Sequence, residues 1–286
     1  MSLLLLDGRA PLPSDLDWLL ASRALAFGEG LFTSVRLWQQ QPLFWPDHLR
    51  RLQRGMQRLG VMFSPAIWEA LEQEVLQLAQ QQGEGRLKVM LLAGPGGQGY
   101  ARQQADLPWH RLVHAQPLPI DATLYQGQPV WWLACPAAGP HSETKHLNRL
   151  SQVLAADACP APYREALLYS AQGDIKEGIA RNLFWRSQGC WFTPCLASGA
   201  LAGVMRQQLI GFLGENLREV KTQLVDLQQA DEVFLCNSVQ GLWPVTRLDH
   251  AGGTLASWPL GPSTRQLMAH FHVQMGLPLP SSVCSL

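Results

Sequence analysis

Between residues 31 and 116 the apolar side chains change period twice, and that change limits the folds open to this chain. Leu31 to Trp38 carries apolar, β-branched and aromatic residues in loose alternation, the pattern of a strand with one buried face. Gln39-Gln40-Gln41 follows, and Pro42-Leu43-Phe44-Trp45 reads as the second arm of a hairpin. Pro46-Asp47 then opens a helix, with proline in the first turn and an acid near the positive end. Leu49, Leu52, Met56 and Leu59 recur at helical spacing and Gly60 closes the run. A second amphipathic helix is predicted over residues 65–82, and strands over 86–93 and 109–116. Neither a one-faced strand nor a one-faced helix can bury its apolar side alone, so a sheet packed on helices is expected, in the mixed α/β (α+β) class.

Pro117-Leu118-Pro119, Gly127 and Pro129 mark a linker, which gives expected domains of 1–116 and 130–286 joined by 117–129. The second half reads as a strand at 130–135 and a helix at 143–159. Short strands follow at 164–169, 175–177, 182–186 and 190–193, then a helix at 202–213, strands at 231–236 and 243–248, and a last helix at 262–275. The tail after Gly276 reads as loose. The 286 residues carry 22 basic and 22 acidic side chains, a balance that argues against a dedicated nucleic-acid binder. No apolar run reaches the roughly 18 residues of a membrane span. The opening Leu3-Leu4-Leu5-Leu6 lacks a basic leader and reads as a first strand ending at the Asp7-Gly8 turn. Six scattered cysteines with no CxxC pair suggest free thiols in a reducing cytoplasm, and with no HExxH no metal site is expected. His270 and His272, two positions apart on a predicted helix, do not share a face and read as structural or surface groups.

Several segments have residue types suited to chemistry. The run Gly94-Pro95-Gly96-Gly97-Gln98-Gly99 spells GxGxxG after a strand, but the chain reaches Pro108 too soon for a phosphate-binding helix. A glycine-rich loop between two strands is the better reading, and such a loop can lie over an active site. Lysine is scarce: Lys88, Lys145, Lys176 and Lys221 stand against eighteen arginines. Lys145, in Thr144-Lys145-His146-Leu147-Asn148-Arg149, is placed at a predicted helix entry beside His146 and Arg149. There, neighbouring positive charge favours the neutral amine that Schiff-base chemistry needs. The same position also suits a solvated surface lysine. Glu177-Gly178 leads into the apolar strand that begins at Asn182. Gly203-Val204-Met205-Arg206 starts a helix whose free amides suit an anion, and His48-Leu49-Arg50-Arg51 offers an arginine that could turn inward to a phosphate.

In this order and spacing, the segments resemble the fold-type IV pyridoxal-phosphate (PLP) enzymes, which include branched-chain and D-amino-acid aminotransferases and 4-amino-4-deoxychorismate lyases. The resemblance covers nearly the whole chain, from Arg23–Phe32 through His48 and Arg51, Lys145, Glu177 to Asn182 and Gly203–Arg206, to Asp231–Ser238 and Pro244-Val245. It implies two α/β domains with PLP in the cleft between them, in a homodimer. Lys145 would carry PLP as a Schiff base, and Glu177, with Asn182 nearby, would pair with the pyridine nitrogen. Arg51 would bind the phosphate, helped by the Val204 and Met205 amides and by Ser238. The Lys145–Leu150, Phe32–Arg36, Asn182–Trp185 and Val204–Gln207 segments look most like the lyase group. That likeness implies elimination of pyruvate from aminodeoxychorismate to give 4-aminobenzoate for folate synthesis. Ser34 would protonate the departing enolpyruvyl group, with Thr33 as second choice. One departure stands out: Gln98 occupies the place where the lyases usually have arginine in their glycine loop. Arg102, Tyr100 and Asn148 are then the candidates for holding substrate. An aminotransferase of the same fold is the nearer alternative, and a non-catalytic relative the more distant one.

Overall fold

Five strands carry the first part of the chain: β1 (Leu3–Leu6), β2 (Gly30–Trp38), β3 (Gln41–Pro42), β4 (Gly85–Ala93) and β5 (Trp109–Gln116). They pair in the order β1-β5-β4-β2-β3, every pair antiparallel. The helices here are α1 (Asp15–Leu20), α2 (Arg23–Phe27), α3 (Trp45–Arg58) and α4 (Pro65–Gln82). The computed structural model describes residues 3–102, 107–135 and 141–281. They group into two units, Met1–Pro119 with Thr144–Arg149, and Ile120–Glu143 with Leu150–Leu286.

The period of two sorts β2 by face. Leu31, Val35 and Leu37 point into a core shared with Leu87, Val89 and Leu91 of β4, Leu52 and Met56 of α3, and Leu71, Val75 and Leu78 of α4. Phe32, Ser34 and Arg36 therefore line the other face. Gly55 lets α3 sit close on β2, because a Cβ there would lie 2.5 Å from Leu31 Cδ1. The hairpin arm expected through Trp45 is only two residues long. Phe44 turns left-handed at φ 56°, and Trp45 starts α3, where it is buried.

The second unit holds β6 (Gln128–Ala134), β7 (Ala166–Tyr169), β8 (Ile175–Gly178), β9 (Asn182–Ser187), β10 (Cys190–Pro194), β11 (Leu217–Val220), β12 (Glu232–Asn237), β13 (Gly241–His250) and β14 (Gly253–Ser257). The sheet runs β11-β10-β9-β12-β13-β6-β7-β8, with β14 on β13. Its helices are α5 (Leu150–Ala158), α6 (Val204–Leu213), α7 (Leu224–Gln228) and α8 (Pro262–Met275). Phe184 and Phe234 stack in its core with ring centroids 5.2 Å apart. His272 is buried there: Nδ1 donates to Pro278 O and Nε2 accepts the Leu242 N–H, a structural role. Among the described residues no helix is long and apolar enough to cross a membrane. Residues 282–286, with Cys284, lie outside the described residues, and with them part of the tail read as loose.

Two differences from the sequence reading bear on the site. The helix expected from 143 begins only at Leu150. Residues 144–149 instead run extended beside the start of β2: the Phe32 N–H donates to Lys145 O, and the Leu147 N–H donates to Gly30 O, each at 2.9 Å. That pairing satisfies backbone groups of β2, and it groups Lys145 with the first unit, not the second. The stretch expected as linker up to 129 holds a helical turn at Ala122–Gln126 and the start of β6.

Candidate active site

In the first unit, Lys145 stands five residues before α5 in the chain, not at the helix entry that the sequence suggested. It is half-buried, and its Nζ lies 4.6 Å from the centroid of the Phe32 ring. A cation over an aromatic face is attracted by the ring quadrupole. Arg149 lies over the same ring at 6.0 Å and is braced by its donations to Thr144 O (2.6 Å) and His146 O (3.1 Å). Ser34 shares the sheet face of Phe32. Across from Ser34 is Lys88, whose Nζ is 5.3 Å from the Phe32 centroid. Burial, then the charge of Arg86, pulls the Lys88 ammonium below its usual range.

Thr33 faces the opposite way. It is fully buried against α3, where its hydroxyl bonds Arg51 Nη2 and His48 Nδ1. This counts against Thr33 as the second choice for the proton donor, because successive strand residues point to opposite faces. Of the two adjacent arginines, Arg50 is exposed and pairs with Asp47, while Arg51 is the one turned inward. Burial, then the charge of Arg149, brings Arg51 down to about 10, which leaves it protonated at neutral pH. Burial, then the charges of Arg51 and Lys145, holds His48 well below its ordinary value, so its ring is neutral.

The glycine loop is tied to α2. Arg23, itself buried, donates to the carbonyls of Gly99 and Tyr100 (2.9 Å each) and to Glu29 Oε2 (2.6 Å). Arg102 donates from Nε to Glu29 Oε1 (2.5 Å) and from Nη1 to Leu59 O (2.6 Å). Its guanidinium is thus committed to Glu29, which counts against the substrate-carboxylate role read from the sequence. Tyr100 is 87 % exposed with its ring 5.2 Å from that of Phe27, and Asn148 is exposed.

In the second unit, Glu177 on β8 is half-buried. Its Oε2 accepts from Asn182 Nδ2 (3.0 Å) and from the Leu201 N–H (2.9 Å). Asn182 also donates to Leu201 O (2.9 Å), so it clamps the loop before α6 as well as the carboxylate. Only glycine fits at 203, where a Cβ would lie 2.0 Å from Asn182 Oδ1. No side chain caps α6, and Val204 and Met205 form its buried first turn, where amide groups have no partner within the helix. Ser238 is buried in the turn between β12 and β13. Sequence reasoning missed the Leu201 amide and the brace of Arg51 by Thr33. Strict alternation along β2 could have shown only that Thr33 faces away from Phe32 and Ser34.

Within the first unit, Arg51 and Lys145 offer the guanidinium and the amine that PLP, a phosphate ester with an aldehyde, would need. Arg51 Nε is buried with no hydrogen-bond partner among the described residues. Arg51 and Arg149 lie close enough for like-charge repulsion, which a bound anion would relieve.

Comparison with known proteins places the chain in a family. The model of the class IV amino-transferase family matches residues 30–248. An aminodeoxychorismate lyase of Vibrio harveyi is 27% identical over 264 residues, 88% of this chain and 95% of that protein. The crystal structure of a 4-amino-4-deoxychorismate lyase from Pseudomonas aeruginosa superposes with a TM-score of 0.83 at 32% identity, covering 95% of this chain and 98% of that one. A branched-chain-amino-acid aminotransferase of Escherichia coli K12 is 27% identical over 270 residues, 87% of this chain and 85% of that protein.

Proposed function

The chain belongs to the class IV aminotransferase family, whose members bind PLP, and from that premise we propose that it is a 4-amino-4-deoxychorismate lyase. The observation that carries the choice is Ser34, a hydroxyl on the same strand face as the Phe32 ring that the Lys145 ammonium covers. Elimination needs a proton donor for the leaving group, and transamination makes no such demand.

PLP, when bound, supplies an electron sink for the carbon that bears the substrate's amine. Lys145 would hold the cofactor through its amine and would take the proton from that ring carbon. Glu177, steadied by Asn182 and the Leu201 amide, would keep the pyridine nitrogen protonated. Arg51, the Val204 and Met205 amides and Ser238 would hold the phosphate. The bond from the neighbouring ring carbon to the enolpyruvyl oxygen then breaks, and its electron pair leaves on that oxygen. Ser34 passes a proton to the departing group, which becomes pyruvate, and the ring becomes aromatic as 4-aminobenzoate. Tyr100 and Asn148, both exposed, remain the candidates for substrate contact. The reading includes a homodimer in the cytoplasm.

The test is product formation from aminodeoxychorismate without any oxo acid. Pyruvate and 4-aminobenzoate in equal amounts support the lyase, whereas turnover only with an added oxo acid makes it an aminotransferase. Ser34→Ala is expected to slow release of both products by roughly a hundredfold, with the cofactor absorbance of the resting enzyme unchanged. Release at the parental rate would remove the argument from the hydroxyl.

A further inference from the structure

Thr33 is wholly buried, and among the described residues two side-chain nitrogens reach its hydroxyl: Arg51 Nη2 and, at 2.6 Å, His48 Nδ1. A guanidinium can only donate. The hydroxyl oxygen therefore accepts from Arg51, and among the described residues His48 Nδ1 is the acceptor within reach of its own proton. With the ring as the Nε2–H tautomer, the bonds run in the order Arg51 N–H to Thr33 O–H to His48 N. His48 is left as the neutral ring with its proton on Nε2, and that Nε2 is buried with no partner among the described residues. An unsatisfied buried donor is costly, so a histidine at this position needs a reason beyond filling space.

We propose that His48 and Thr33 are positioning residues that hold the Arg51 guanidinium for a phosphate monoester, so that they set the preference for PLP over its unphosphorylated analogue pyridoxal. The inference rests on the reading of Arg51 as the phosphate residue. Arginine has a long flexible stem and loses rotamer entropy when it is fixed. Here α3 sets His48 and Arg51 three residues apart on one face, and Gly55 brings that face onto β2, where Thr33 waits. Pinning Nη2 on Thr33 leaves Nε, buried and unpartnered, to meet an anion. The acceptor ring matters because chained hydrogen bonds polarise one another: giving its proton to His48 makes the hydroxyl oxygen a better acceptor for the guanidinium.

Apoprotein titrated with PLP and, separately, with pyridoxal tests this by the absorbance of the bound cofactor, with no need for turnover. Thr33→Val keeps the shape and removes the hydroxyl. It is expected to raise the Kd for PLP about tenfold or more and to change that for pyridoxal less than about twofold. Thr33→Ser is expected to behave as the parent. His48→Asn puts an acceptor oxygen close to the place of Nδ1 and is expected to retain PLP affinity, whereas His48→Leu is expected to lose it as Thr33→Val does. Equal losses for the two cofactors in Thr33→Val, or unchanged PLP affinity, would overturn the proposal. If Thr33→Val does not fold, His48→Asn against His48→Leu decides in the same way. Arg51→Ala separates the levels. If it binds PLP as tightly as the parent, the phosphate reading itself falls. If it loses PLP while the Thr33 and His48 variants keep it, only the positioning role falls.

Discussion

Arg51 and Arg102 are both arginines that the sequence offers as anion binders, and the protein holds them in opposite ways. Arg102 spends its charge on Glu29, which it shares with Arg23, and a further N–H on the Leu59 carbonyl. Arg51 is held by a hydroxyl, which fixes its direction, and among the described residues no carboxylate is seen to pair with it. The partners of the two carboxylates differ as well: those of Glu29 include two guanidiniums, and those of Glu177 Oε2 include a side-chain amide and a backbone N–H. A charged group that is oriented by uncharged donors and acceptors keeps its field for a ligand. One that is ion-paired serves the architecture, here the anchoring of the glycine loop.

The contrast can be broken most severely at Lys145. If Lys145 carries the cofactor, Lys145→Ala is expected to lower turnover by a thousandfold or more, on the order of removing the reacting group itself. Borohydride reduction of the parent should fix the cofactor to the peptide holding Lys145. A label on Lys88, the other ammonium beside Phe32, would reassign the reacting amine. Next comes Glu177→Gln, expected to keep PLP bound and to lose roughly a hundredfold in turnover, since a neutral amide cannot hold a proton on the pyridine nitrogen. Normal turnover at full PLP occupancy would count Glu177 among the architectural charges. Arg51→Ala should weaken PLP binding by about tenfold or more, with activity partly restored by excess PLP. The smallest effect is expected from Arg102→Ala: less than about threefold on PLP affinity and turnover, with the loss appearing as a lower melting temperature and faster proteolysis in the loop. A large rise in KM without a change in stability would return Arg102 to the substrate.

How far the sequence could be read depended on the length and locality of each signal. The helices at 65–82 and 262–275 and the strand at 109–116 have the bounds their periodicity predicts, because many residues repeat one pattern. α1, α2, α7 and β14, each five or six residues long, are too short to show a period and went unread. The start of α5 was misplaced because residues 144–149 are held by β2, more than a hundred positions earlier, which no local pattern records. The same holds for Arg102, whose partner Glu29 lies 73 residues away. That Arg51 turns inward was implied by the family resemblance, since the residues alone left Arg50 and Arg51 open. Which residue would brace it was not, because that depends on how closely α3 approaches the sheet.

The return of residues 144–149 to the first unit has a consequence for biosynthesis. As the chain leaves the ribosome, β1 to β5 can pair once residue 116 has emerged. The Phe32 N–H and the Gly30 carbonyl must then wait for about thirty more residues, some of them belonging to the other unit, before Lys145 and Leu147 arrive to bond them. A fragment ending at Pro119 would hold Arg51, Thr33 and His48 but not the lysine. Thr33, His48 and Arg51 can therefore come together before Lys145 is present, and the first unit is complete only when the chain has passed through the start of the second and come back.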